Sequence, residues 1–187
     1  MLPVGILLAA GRGRRFDPSG ARNKLLQPLH GGESVVASSA RTLLKVLERV
    51  VAVVAPHDGG VGAQLLALGC EVTVCPDADS GMGTSLAHAL RHAHPTSCLI
   101  ALGDMPHLQA STVRALCDAL DGGAGIAAPV CGGRRGNPVA FSAAYVPQLF
   151  GISGDQGARA LLKSQPVTEV EVADPGIFQD IDLASDL

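Results

Sequence analysis

Aromatic residues are nearly missing. The 187-residue chain has no Trp and one Tyr, and aromatics make up 3% of it. Proteins that hold single-stranded nucleic acid need stacking platforms, and this chain has too few to build one. Its core must be made from Ala, Val, Leu and Ile, and a hydrophobic fraction of 47% supplies them. An excess of positive charge is also lacking. Fourteen Lys and Arg face seventeen Asp and Glu, for a formal net charge of −3. Neither a nucleic acid nor an anionic membrane is expected as a partner. Long apolar runs are absent: Pro3 to Ala10 spans eight residues without a preceding basic region, and a membrane span needs ~20. The five cysteines are scattered and form no C-x-x-C pair. A structural zinc site or a redox motif is therefore disfavoured. Thiols in apolar runs pack as small hydrophobes. The expectation is a reduced, cytoplasmic protein of one domain, residues 1–187, since single cores commonly run to ~100–200 residues.

Apolar runs alternate with helical patterns along the chain. Val4 to Ala9 is a continuous apolar run that stops at Gly11, as a buried strand does. Ser34 to Arg49 carries Val36, Ala40, Leu43 and Leu47 at helical spacing, with Ser34 or Glu33 as its start. Further strands are expected at Val50–Ala55, Cys70–Cys75 and Cys98–Leu102. Helices are expected at Val61–Leu68, Thr84–His94 and Ser111–Leu120. Ile126–Val130 and Pro138–Phe141 read as strands joined by Cys131 to Gly136, a hairpin or flexible loop. Gln156–Lys163 reads as a short helix and Val167–Val172 as an edge or hairpin strand. Repeated strand–helix–strand units imply an α/β fold, a mostly parallel sheet with helices on both faces. Ligands bind such sheets beyond the carboxyl ends of the strands. The Gly11 loop, Asp77 and Gly103-Asp104 all fall there.

The loop after the first strand is the most informative segment. Residues 8–24 read Leu-Ala-Ala-Gly-Arg-Gly-Arg-Arg-Phe-Asp-Pro-Ser-Gly-Ala-Arg-Asn-Lys, and five of the fourteen Lys and Arg lie between Arg12 and Lys24. Small residues let the backbone approach a ligand, and exposed N–H groups with Arg and Lys can neutralise a polyphosphate. The plainer alternative is a solvated basic surface loop. The Walker pattern is absent. The dinucleotide pattern begins at Gly11 and Gly13, but Phe16 stands where its third glycine belongs.

Leu8-Ala-Ala-Gly-Arg-Gly-Arg-Arg15-Phe followed by Lys24-Leu-Leu resembles the signature of nucleotidyltransferases with the fold of sugar-nucleotide pyrophosphorylases. Gly81-Met-Gly-Thr-Ser-Leu86, Gly103-Asp-Met-Pro106, Gly136-Asn-Pro138 and Gly154-Asp-Gln-Gly-Ala-Arg159 narrow the resemblance to the molybdenum cofactor cytidylyltransferase family, across nearly the whole chain. Two features depart from that pattern. Asp17 to Asn23 is longer than the usual spacing, and Asp180-Ile-Asp-Leu-Ala-Ser-Asp186 lacks the family's Thr-Pro.

The resemblance implies that a terminal phosphate on molybdopterin attacks the α-phosphate of CTP, releasing pyrophosphate. Ala10 leans toward CTP, because the family's guanosine form has glycine there. Leu8, Ala9, Ala10, Gly11, Arg12 and Gly13 would bind the nucleotide, with Asp77, Gly83 and Ser85 at ribose and base. Arg15 and Lys24 would hold the triphosphate and stabilise charge on departing pyrophosphate. Asn137 and Asp155 would face the acceptor, although Asp155 also suits a helix cap. Asp104 follows an apolar strand and would hold Mg2+, which prefers one or two carboxylates with phosphate oxygens. Its alternative role is to cap the turn into Met105-Pro106. Asp182, or Asp180 in its place, would be a second ligand or a polar strand end. A molybdoenzyme or maturation factor would be the partner receiving the product.

Other patterns are weaker. His88 and His92 have i, i+4 spacing but lack the acid of H-E-x-x-H. Asp77-Ala-Asp79 imitates a glycosyltransferase pair, and Ser85 lacks G-x-S-x-G. Three rival functions remain: guanylyl or other nucleotidyl transfer to another phosphorylated acceptor, a non-catalytic nucleotide-binding module, and a dinucleotide-dependent oxidoreductase.

Overall fold

The computed structural model describes residues 1–152, 154 and 158–187. Strands β1 (Val4–Leu8), β2 (Val50–Val54), β3 (Glu71–Val74) and β4 (Cys98–Leu102) are parallel, in the order β3-β2-β1-β4. The sheet continues through β5 (Ile126–Cys131), β6 (Arg134–Arg135), β7 (Val139–Phe141) and β8 (Thr168–Glu171). β7 lies antiparallel between β4 and β5, and β8 pairs parallel with β5. Leu8 stands opposite both Val53 and Leu102, so three strands end level. Chain order reverses at β1, which makes the carboxyl ends of β1 and β4 the crevice of the sheet.

The two faces of the sheet are covered separately. Leu7, Ala52, Leu99 and Ala140 point to one core, with α1 (Val35–Leu44), α2 (Val61–Ala67) and α4 (Ala110–Asp121) contributing Leu43, Leu65 and Leu116. Ile6, Val51, Val53, Cys98 and Phe141 point to the other, where α3 (Met82–Ala93) supplies Leu86 and Leu90. The period of two follows from the pleat. Each fully buried Ile or Leu is worth about 2 kcal/mol against exposure, and Phe16 and Phe141 are the aromatic members of an otherwise aliphatic core. Two short helices, α5 (Val146–Leu149) and α6 (Arg159–Ser164), lie between β7 and β8 in the chain.

Several boundaries differ from the sequence expectations. Ser34 caps α1, accepting from the Ala37 N–H at 3.3 Å, but the helix ends at Leu44 rather than Arg49. Leu47 keeps its helical spacing and its burial beyond that end, which is what the periodicity detected. α3 begins at Met82, two residues early, because Gly81 (φ 114°) turns the chain directly into it. Residues 131–136 form a tight hairpin: Gly132 and Gly133 both have positive φ, as a two-residue hairpin turn requires. β8 joins its neighbour in parallel, not through a hairpin. α6 starts at Arg159, and the earlier part of the expected 156–163 helix lies outside the described residues.

Candidate active site

A cleft of about 510 Å³ opens at the carboxyl ends of β1 and β4. That is a suitable size for a small ligand. The loop after β1 forms one wall. Gly13 has φ 58°, and a Cβ there would come within 3.1 Å of Lys24 Cγ, so the position suits glycine in both conformation and packing. Phe16 is buried in the core beneath this wall, with the Arg22 guanidinium 5.2 Å above its ring. The long stretch after it folds on Asp17. That carboxylate accepts from the Ser19 hydroxyl at 2.6 Å and the Arg22 N–H at 2.8 Å, which hold its pKa below the ordinary value. Asn23 then caps the 3-10 turn Lys24–Leu26, accepting from the Leu25 N–H at 3.0 Å. The added length is thereby taken up locally, and Lys24 still reaches the strand ends.

At the other wall, the Gly103 N–H donates to the Leu8 carbonyl at 2.9 Å. A Cβ on Gly103 would sit 3.1 Å from that same oxygen, so glycine permits the close approach of the two strand ends. Asp104 follows at once. Lys24 Nζ donates to Asp104 Oδ2 at 2.6 Å and to the Ile181 carbonyl at 2.8 Å, and lies 3.5 Å from Asp182 Oδ1. Arg15 Nη1 lies 2.7 Å from Asp182 Oδ2. Lys24 is only 8% exposed, and a buried ammonium is tolerated when partners surround it.

Asp104, Asp180 and Asp182 each place a carboxylate oxygen within 4.8 Å of the others. Three carboxylates against Lys24 and Arg15 leave one negative charge in excess. Asp104 Oδ1 is buried and has no hydrogen-bond partner, alone in this among the described buried side-chain atoms. Such an oxygen costs about 1–3 kcal/mol when unsatisfied. An all-oxygen donor set with an unsatisfied inner oxygen fits a hard divalent cation. Asp186 braces this corner, accepting from the N–H groups of Leu183 at 2.7 Å and Asp182 at 2.9 Å. Those backbone donors hold its carboxyl below the usual range.

The cleft gathers many of the residues singled out by sequence. Leu8, Ala10, Gly11, Arg12, Gly13, Arg15, Lys24, Ser85, Asp104 and Asp182 line it. Ala9 is buried beside the loop, its N–H donating to the Val53 carbonyl. Asp77 and Gly83 fall outside the lining, whereas Asp79 and Gly81 lie in it. Asp79 pairs with Arg12 across the cleft. The acid of Asp77-Ala-Asp79 that faces the site is thus the second, which the 3-10 turn Ala78–Ser80 carries to the cleft wall. Asn137 lines a separate apolar recess of about 80 Å³ that shares Leu8, Met82, Leu102 and Arg159 with the cleft. Asp155 lies outside the described residues. Arg14, Asp79, Asp180 and Arg159 also line the cleft. Arg14 sits in the basic loop, where its sequence signal was already visible. The Ile181 carbonyl had none.

A basic glycine-bearing loop facing clustered carboxylates across the strand ends is the arrangement of a nucleotidyltransferase. The chain belongs to the MobA-like NTP transferase domain family, whose sequence profile matches residues 5–170. It is 31% identical to the purine catabolism protein PucB of Bacillus subtilis (strain 168), over 96% of this chain and 91% of that protein. The crystal structure of Rv0371c from Mycobacterium tuberculosis H37Rv is similar at a TM-score of 0.84 and 27% identity, covering 98% of this chain and 93% of that one. A manganese complex of Rv0371c is similar at a TM-score of 0.81 and 26% identity, covering 100% and 96%. No helix among the described residues is long and apolar enough to cross a membrane.

Proposed function

We propose that this protein transfers the cytidylyl group of CTP to the terminal phosphate of a molybdopterin-type acceptor in the cytoplasm. The observation that carries this reading is the Lys24–Asp104 contact at the strand ends, with Asp104 Oδ1 buried and unpartnered beside it. An acceptor phosphate oxygen forms the new bond to the α-phosphorus of CTP. The bond from that phosphorus to the bridging oxygen breaks, and its electron pair leaves with pyrophosphate. Lys24 and Arg15 stabilise the charge that builds on the leaving group. The loop from Gly11 to Gly13 offers backbone and Arg12 to the phosphates, and the N-terminus of α3 adds its dipole. Asp77, Gly83 and Ser85 are assigned to the nucleoside side on family resemblance; Ser85 supports this by lining the cleft. Asn137 is assigned to the acceptor on family resemblance, and its place beside the cleft, in a recess that shares Leu8 and Leu102 with it, supports this.

Asp104 and Asp182, with Asp180 alongside, would hold Mg2+. When bound, the ion supplies charge withdrawal from the phosphates. The relative crystallised with manganese supports the binding of a divalent ion. A molybdoenzyme or its maturation factor would receive the product. The test is a thermal-shift series with CTP, GTP, ATP and UTP, each with and without Mg2+, followed by pyrophosphate release with molybdopterin. Ligand at ~100 times its dissociation constant adds about 2.7 kcal/mol of stability. The largest Mg2+-dependent shift is expected with CTP. A larger shift with GTP overturns the cytidylyl assignment, and a nucleotide shift without pyrophosphate release points to a non-catalytic module.

A further inference from the structure

Asp174 lies outside the cleft lining, yet it is 1% exposed. A carboxylate is tolerated at such depth only when its oxygens are satisfied. Asp174 Oδ2 accepts from the Gln109 N–H at 2.9 Å and the Thr112 hydroxyl at 2.6 Å, and Oδ1 accepts from the Gly176 N–H at 2.9 Å. The first two donors lie at the N-terminus of α4, where the cap residue Gln109 makes no side-chain cap bond of its own. The helix dipole favours a negative group there. Asp174 thus caps α4 from a distant part of the chain.

The consequence lies further along the same segment. A Cβ on Gly176 would sit 2.2 Å from the His107 carbonyl oxygen, so this backbone rests directly on the loop that runs from Asp104 into α4. The Asn137 N–H donates to the Ile177 carbonyl at 3.0 Å, and the Ile181 N–H to the Asp104 carbonyl at 2.9 Å. Ile177 and Ile181 are each 1% exposed. Apolar burial of this kind is non-directional, whereas the hydrogen bonds of Asp174 fix both distance and orientation. The loop that carries Asp104 and the strap that carries Asp180 and Asp182 are therefore aligned to each other by the Ile181–Asp104 bond at one end and by Asp174 at the other.

We propose that Asp174 is a positioning residue for the cation site. It sets where Asp180 and Asp182 stand relative to Asp104 without itself touching ion or substrate. This rests on reading the three-carboxylate cluster as that site.

Binding of Mn2+ alone to the full chain tests it, read from the electron paramagnetic resonance signal of the free ion. Measurements are made below the melting temperature of every variant. Asp174→Ala is expected to weaken Mn2+ binding about 10-fold, as loss of outer supports around metal ligands does. Asp174→Asn, which keeps an acceptor oxygen, recovers part of that loss. In an Asp182→Ala background the Asp174→Ala effect shrinks at least ~3-fold, because the two act on one ligand. If Asp174→Ala does not fold, Thr112→Val removes one of the three donors and is expected to weaken binding about 2-fold or more. Mn2+ affinity within about twofold of the parent in folded Asp174→Ala overturns the proposal. So does an equal loss in both backgrounds, which marks a purely structural residue. Failure of the parent protein to bind Mn2+ instead removes the cluster reading, and this inference with it.

Discussion

The two walls of the cleft are built on opposite principles. The first comes from residues close together in sequence: Leu8 to Lys24 form one loop, shaped by Gly13 and by the local bonds of Asp17 and Asn23. The second joins Asp104 to Asp180 and Asp182, more than seventy residues away, through contacts that no local pattern announces. Lys24 is the bridge, with Asp104 on one side and the Ile181 carbonyl on the other. The first wall carries most of the positive charge and stays largely exposed, with Arg15 76% exposed. The second holds the clustered negative charge, with Asp104 and Asp182 half-buried and Asp180 exposed.

The comparison breaks most completely at Asp104. Asp104→Ala is expected to lower pyrophosphate release by on the order of 10³-fold, with the far-ultraviolet circular dichroism unchanged. Lys24 keeps its Ile181 and Asp182 partners in that variant, so folding is not the cause. Full activity in the variant would remove Asp104 from the site. Lys24→Met separates the walls more subtly. Its ammonium shares the oxygens a cation would take, so Mn2+ affinity without nucleotide should rise about 3-fold or more as a neighbouring positive charge is lost. Turnover should fall about 10²-fold, since removing one donor to developing charge costs that much. Unchanged Mn2+ affinity would show that Lys24 and the ion do not compete.

The smallest effect belongs to Asp186. Its carboxyl is held below the ordinary value by the Leu183 and Asp182 N–H groups. A depressed folded pKa means stability present above the unfolded value near 3.8 and lost as pH falls through the folded one. Asp186→Asn should therefore lower the melting temperature slightly at pH 7 and leave it equal to the parent at the acid end. A difference that persists well below that range would show that the side chain acts through shape and not charge.

These contrasts also explain what the sequence disclosed. The strands around the crevice were legible because each is a short apolar run that ends where a glycine or proline interrupts it. The basic loop and Asp104 were legible because each directly follows a strand, where a parallel sheet presents ligands. The strap from Asp174 to Asp182 was legible only at Asp180 and Asp182, through the family resemblance, and its packing was not. Its burial depends on Gly176 lying against His107 and on Asp174 reaching the start of α4, and such pairings leave no period in the chain. Asp79 was passed over for a similar reason: only the 3-10 turn Ala78–Ser80 shows which acid of its pair turns inward.

The strap also gives the site an order of assembly. During synthesis the basic loop appears first, then Asp104, and Asp180 and Asp182 only many residues later. A chain stopped after Ala173 contains the β8 residues but lacks the cap on α4, two of the three clustered carboxylates, and the carbonyl that accepts from Lys24. A nascent chain of that length presents a basic loop and one paired acid, so the three-carboxylate cluster closes only once the strap has been made.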